Sequence, residues 1–237
     1  MQNYTTNEVI IKGEANEREL SAHMSGVFGW MFAGLLLTAA MALFTVTNSS
    51  LFGVVYGNMW SFAGFAIAEI IIVMVLSANI QRFSYTTSVM LFLAYSALNG
   101  ITLSIIFLTY RLGTVWTAFL ITAGAFGIMA VYGYVTKKDL SSMRRIVVMG
   151  MVGLFLMLIM QMFIRMSGMD LLICALGLFV FLGLTAYDAQ KIKEMYYRTA
   201  DDDRLRNNLK IHGALVMYLD FINVFLYVLR LLGRNRD

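Results

Sequence analysis

Seven apolar stretches, nearly free of charge, follow one another along this chain, each close to the roughly 20 residues that a helix needs to cross a hydrocarbon core of about 30 Å. They run over Val27–Thr47, Met59–Ala78, Tyr85–Tyr110, Thr114–Thr136, Ile146–Ile164, Leu171–Tyr187 and Ile211–Leu229. A soluble core could not hide them: 59% of the 237 residues are hydrophobic and 14% charged, against about 25% charged in soluble domains. Only helices and closed barrels satisfy their backbone polar groups within a bilayer, and a barrel would show alternating segments of about ten residues. The expected fold is therefore an all-α integral membrane protein with seven transmembrane helices.

The breaks are short: Asn48-Ser49-Ser50, Gln81-Arg82, Arg111-Leu112-Gly113, the basic stretch from Lys137 to Arg145, and Arg165 to Asp170. Only Ala189–Lys210 reads as a sizeable loop, and it is highly charged. Ahead of the first stretch, Glu8, Glu14, Glu17 and Glu19 stand beside Lys12 and Arg18. That pattern lacks the basic start and cleavage site of a secretory signal, so the first span is expected to stay attached. The chain divides into a short cytoplasmic segment (1–26), a seven-helix transmembrane domain (27–232) and a C-terminal tail (233–237).

Lys and Arg in short loops orient such a protein. With the N-terminus inside, the cytoplasmic side carries Lys12, Arg18, Arg82, Lys137, Lys138, Arg144, Arg145 and the six basic residues from Lys191 to Lys210. The other side carries Arg111, Arg165, Arg230, Arg234 and Arg236. The asymmetry favours N-in, and an odd span count then puts the C-terminus outside. The basic tail pulls the other way, so a re-entrant last segment with the tail inside stays open. The net charge of +4 is dispersed over these loops, which insertion explains without nucleic acid as a partner. The single Cys174 excludes an internal disulfide.

An Asp near the centre of a membrane helix costs about 2.5–3.5 kcal/mol on insertion scales, so intramembrane carboxylates are functional candidates by default. There are three: Glu69 in the second stretch, Asp188 closing the sixth and Asp220 in the middle of the seventh. Asp220, Asn223 and Tyr227 fall on roughly one helical face, which calls for a last helix surrounded by the others. Asp220 is either a functional acid or a hydrogen-bonded strut between helices. Asp188 is either a solvated helix end or the partner of Asp220. Two carboxylates in one poorly hydrated site cannot comfortably both ionise; such a pair would share a proton and titrate as a unit. Depth is the difficulty: Asp220 would lie about 14 Å beyond Ile211 at 1.5 Å per residue, whereas Asp188 lies near the surface. Pairing needs either a sixth helix that continues through Lys191 and Lys193 or a water-filled vestibule. Glu69 is either a third member of the site or an independent contact between helices. Arg82 is either an ion-pair partner of Asp188 or an ordinary interfacial anchor.

At these residues the chain resembles the transmembrane Bax inhibitor motif family, bacterial branch. The similarity covers nearly the whole chain and is most specific at Gly183-Leu184-Thr185-Ala186-Tyr187-Asp188-Ala189-Gln190 and at Leu215–Phe225, which contains Tyr218-Leu219-Asp220-Phe221-Ile222-Asn223. Ser77–Arg82, Tyr95-Ser96-Ala97-Leu98-Asn99-Gly100 and Tyr132–Leu140 are also similar. The resemblance implies six helices around a central seventh, in the bacterial inner membrane. It also implies a pH-sensitive calcium leak channel in which Asp188 and Asp220 form the proton-sharing pair and Arg82 locks the closed form. Two carboxylates supply few of the six to eight oxygens that Ca²⁺ prefers. They would make a weak calcium site helped by water, Asn223 or backbone carbonyls, with Tyr187 and Tyr218 of the two motifs as gating or supporting residues. No tightly bound cofactor is implied.

Two rival readings use the same residues. A proton-coupled transporter would exchange protons for a substrate through the same acids. A non-conducting regulator would bind another membrane protein or a protease. An enzyme finds little support, since His23, His212 and Cys174 stand singly and no catalytic arrangement is evident. The methionine-rich fifth stretch, from Met149 to Met166, is better read as flexible packing of a lipid-facing helix than as a copper site. The glycines of Gly124–Gly127 and Gly177–Gly183 are expected to let helices approach closely.

Overall fold

The computed structural model describes residues 6–80, 82–163, 168–199 and 202–234. Among them the chain forms nine helices and no strand: α1 (Thr6–Thr47), α2 (Ser49–Tyr56), α3 (Met59–Ala78), α4 (Tyr85–Leu103), α5 (Ile106–Thr109), α6 (Leu112–Val135), α7 (Ser141–Phe163), α8 (Met169–Arg198) and α9 (Asp203–Arg234). Seven segments, with α4 and α5 taken as one, are long and apolar enough to cross a membrane. The breaks have local chemical causes. Asn48, Asn58 and Ser84 accept N–H groups from the first turns of α2, α3 and α4, supplying partners that the first turn of a helix lacks. Before α7, Ser141 donates its N–H and hydroxyl to Asp139 and holds that exposed carboxyl below the usual range.

Three expectations change. The third stretch is interrupted at Ser104-Ile105, where hydroxyls take over carbonyls: Ser104 Oγ donates to Ile101 O at 2.7 Å and Tyr56 Oη to Thr102 O at 2.6 Å. The charged segment Ala189–Lys210 is not a loop, for α8 runs on to Arg198 and α9 begins at Asp203. Charge ends the apolar run there without ending the helix. Ala189, Ile192 and Tyr196, spaced three and four residues apart, remain buried and give the extension an apolar stripe. Lastly, α9 continues unbroken over 32 residues, which leaves no turn for a re-entrant last segment among the described residues. Arg165 and part of the break around it lie outside the described residues.

The last helix is central. More than half (56%) of the most apolar window of α9 is buried, against 6% for α3 and 11% for α7. Helices α1, α4, α6 and α8 pack directly on α9, while α3 rests on α4 and α7 on α8. Six spans thus surround the seventh, four in an inner ring and two outside it. Met149, Met151 and Met160 of α7 are exposed on that outer layer, as a lipid-facing helix requires.

Glycine packing is only partly as expected. A Cβ at Gly177 would meet the Tyr227 ring, but at Gly124 and Gly127 it would meet nothing. The tight approaches on the inner helices lie at Gly100, against the Thr38 backbone, and Gly133, against the Ala186 carbonyl. Glycine identity alone cannot tell which face of a helix meets a neighbour.

Side chains on the α8 and α9 extensions fasten two loops. Gln190 accepts the Leu140 N–H at 2.9 Å and donates to Lys138 O at 2.8 Å. Asn208 donates to Phe83 O at 2.7 Å and Ile80 O at 3.2 Å. Both side chains are buried, so these loop carbonyls are satisfied inside the protein.

Candidate functional site

Two separate polar arrangements meet the central helix. The first joins four helices through Tyr218, which is fully buried with Phe92 and Tyr95 edge-on to its ring. Its hydroxyl donates to Asn99 Oδ1 at 3.0 Å and lies 2.6 Å from Thr38 Oγ1. Asn99 Nδ2 in turn donates to Glu69 Oε2 at 3.2 Å, and Thr102 Oγ1 donates to Glu69 Oε1 at 2.6 Å. Glu69 is therefore an independent contact of α3 with α4, linked to α9 through Asn99. Thr38 and Thr102 have no place in the sequence-based expectations and Asn99 enters them only within a motif, although Ser96, Asn99 and Thr102 recur every three residues in an apolar run. Tyr218→Phe is expected to destabilise the protein by about 1–3 kcal/mol, because it strands the buried Asn99 carbonyl oxygen. Thermal unfolding in detergent micelles measures this, and an unchanged midpoint would show that the chain of bonds contributes nothing.

The second arrangement is the aspartate pair. Helices α8 and α9 are antiparallel neighbours, and Gly213 against Ile192 and Gly177 against Tyr227 fix their register. In that register Asp188 is level with Met217, only three residues, or about 4.5 Å along the axis, from Asp220. The depth difficulty thus disappears, because α8 does continue through Lys191 and Lys193. That spacing brings Asp220 within reach of the charge on Asp188. Asp220 is 2% exposed, and its Oδ2 has no hydrogen-bond partner. Asp188 is half-buried. One helical turn further along, Lys191 acts electrostatically on both Asp188 and His212, and its Nζ lies 5.9 Å from the centre of the Tyr187 ring.

The other expected members are placed differently. Asn223 donates to Leu219 O of its own helix at 2.8 Å, and Tyr227 packs on Phe181, so the polar stripe does not extend to them as a shared site. Arg82 is exposed in the turn after α3, where its backbone carbonyl accepts from Arg204 at 3.3 Å. The ion pairs shown among the described residues join Arg206 to Glu19 and to Asp203; none joins Arg82 to Asp188. Lys191 is the cation that acts on Asp188. Among the described residues no three His, Cys, Asp or Glu side chains converge as a metal-ligand group.

A pair of acids on the last two of seven spans, one buried and one half-buried, coincides with the most specific motifs of the sequence. The family model for the inhibitor of apoptosis-promoting Bax1 matches residues 20–237. The chain belongs to the Bax inhibitor family. Among its relatives, the inner membrane protein YbhL of Escherichia coli K12 is 39% identical over the full length of both chains. An uncharacterised protein of Borreliella burgdorferi is 41% identical over 90% of this chain and 92% of its own. A third, from Rickettsia prowazekii, is 35% identical over 95% of each. The protein is thus a multi-pass membrane member of a family with bacterial representatives.

Proposed function

We propose that this Bax inhibitor family protein is a pH-sensitive calcium leak channel of the bacterial inner membrane, not an enzyme, with its N-terminus in the cytoplasm. One observation carries the reading: Asp220 is buried in the central helix with Oδ2 unpartnered, within the field of Asp188. Stability alone would not favour such a group, since buried polar atoms are normally hydrogen-bonded. The orientation rests on Lys and Arg density at the end that holds Lys191, Lys193, Arg204, Arg206 and Lys210, and the compartment on the printed name of the Escherichia coli relative.

The sign of the pH response follows from charge. With both carboxylates ionised, the site repels itself and attracts Ca²⁺, so higher pH favours the permeable arrangement. A proton taken up in acid removes one negative charge, weakens that attraction and returns the balance to the closed arrangement. Calcium is cargo here, with water and backbone carbonyls completing a shell that two carboxylates cannot fill. Lys191 is the local counter-charge, and its exposed position on α8 makes its hold on Asp188 sensitive to any movement of that helix.

The test is Ca²⁺ flux from liposomes against pH. Wild-type flux should rise with pH, and Asp188→Asn and Asp220→Asn should each flatten the response. A wild-type profile in both variants removes the acids from gating. Absence of flux at every pH favours the non-conducting regulator, and obligatory counterflow of protons favours the transporter.

A further inference from the structure

Glu17, Arg18 and Ser21 of α1 face Tyr134 of α6 and Lys193 and Tyr197 of α8 across an open cleft of about 490 Å³. It lies where α6 completes its apolar run at Val135, at the level where tyrosines and lysines gather at the edge of a hydrocarbon core. The volume falls in the range of small-molecule sites, about 300–1,000 Å³. Lys193 Nζ donates to Tyr134 O at 3.0 Å and lies 5.4 Å from the centre of the Tyr134 ring. An ammonium has three N–H donors, so two remain for a ligand. Glu17 and Arg18 are exposed, and neither forms an ion pair among the described residues.

From this lining we infer that the cleft binds the phosphoethanolamine headgroup of a membrane phospholipid, with the phosphate against Arg18 and Lys193 and the primary amine against Glu17. Charge of both signs selects the ligand. A purely anionic headgroup would meet Glu17, and a purely cationic ligand would meet Arg18 and Lys193. A quaternary choline carries the right charges but has no N–H to give Glu17, and the Tyr134 ring that could hold a choline is already covered by Lys193. The position at the membrane edge puts lipid headgroups, rather than a dilute solute, in front of the opening. A lipid seated there would bridge α1, α6 and α8 at the end of the bundle where the Lys193 side chain already ties α8 to α6.

The experiment uses full-length protein in nanodiscs of equal phosphatidylethanolamine, phosphatidylglycerol and phosphatidylcholine, with retained lipids identified by native mass spectrometry. Wild type should retain phosphatidylethanolamine over phosphatidylcholine by about threefold, as expected for one solvent-exposed charged contact. Glu17→Gln should erase that preference and shift retention towards phosphatidylglycerol, whereas Arg18→Gln should reduce retention of all three. Thermal midpoints equal to wild type identify the variants as folded, which their exposed positions predict. Retained lipid matching the bulk mixture in wild type would overturn the inference, as would an undiminished ethanolamine preference in Glu17→Gln. Retention of free phosphoethanolamine in place of the phospholipid, when the two are present at equal concentration, would also overturn it, by assigning the cleft to a soluble ligand.

Discussion

Gly133→Ala is expected to destabilise the protein by about 2–3 kcal/mol, within the range for overpacking a filled interior, while Gly124→Ala, nine residues earlier on the same helix, is expected to be neutral or stabilising by up to about 1 kcal/mol. The added methyl carbon at Gly133 would clash with the Ala186 backbone carbonyl of α8, whereas at Gly124 it meets nothing. Helix α6 cannot yield cheaply. Lys193 holds its Tyr134 carbonyl, and Gln190 holds the Lys138 carbonyl and the Leu140 N–H just beyond its end. The strain therefore falls on α8 at Ala186, two residues before Asp188. A displaced α8 alters the spacing of the aspartate pair, so the Ca²⁺ flux of Gly133→Ala should also lose its ordinary pH response. Thermal unfolding in micelles and liposome flux read the two effects. A Gly133→Ala midpoint equal to that of Gly124→Ala would show that the α6–α8 contact is not as close as described.

The contrast between these glycines also marks how far the sequence could be read. Hydropathy summed over twenty residues is a strong signal, and all seven spans were visible in it. Helix ends were not, because the sequence reading stopped wherever charge began. The buried stripe of Ala189, Ile192 and Tyr196 carries α8 well past Asp188, and that continuation brings Asp188 level with the neighbourhood of Asp220. The two aspartates themselves were legible from the cost of a carboxylate in a bilayer. Their surroundings were not, since partners from other helices have no fixed spacing in the chain. Asn99 lies 30 residues from Glu69 and 119 from Tyr218, and only packing shows that the three join. For Arg82 the residues left open an ion pair with Asp188 or an interfacial anchor and the resemblance implied the lock; the structure leaves it exposed, and Lys191, one turn from Asp188, is the cation beside that acid.

Asp220→Leu is expected to stabilise the fold by about 1–3 kcal/mol, the amount by which an unpaired buried polar group typically penalises a protein, and to remove the pH response of Ca²⁺ flux. The argument rests on the difference between the two polar arrangements along α9. Tyr218 has partners on two neighbouring helices, so its hydroxyl contributes to stability and its loss weakens the bundle. Asp220 lies two residues further on, equally enclosed, with Oδ2 unpartnered and a second carboxylate acting on it. Leucine is close in size, carries no charge and suits a buried position on a helix whose Met217, Phe221 and Val224 belong to the apolar core. If Asp220 were a strut between helices, the leucine variant would unfold more easily than wild type and Asp220→Asn would largely restore it. If the carboxylate is kept for its charge, the leucine variant is the more stable protein and asparagine does not recover the pH response. The sign of one unfolding measurement therefore separates structural use of this residue from functional use, independently of whether the protein conducts an ion.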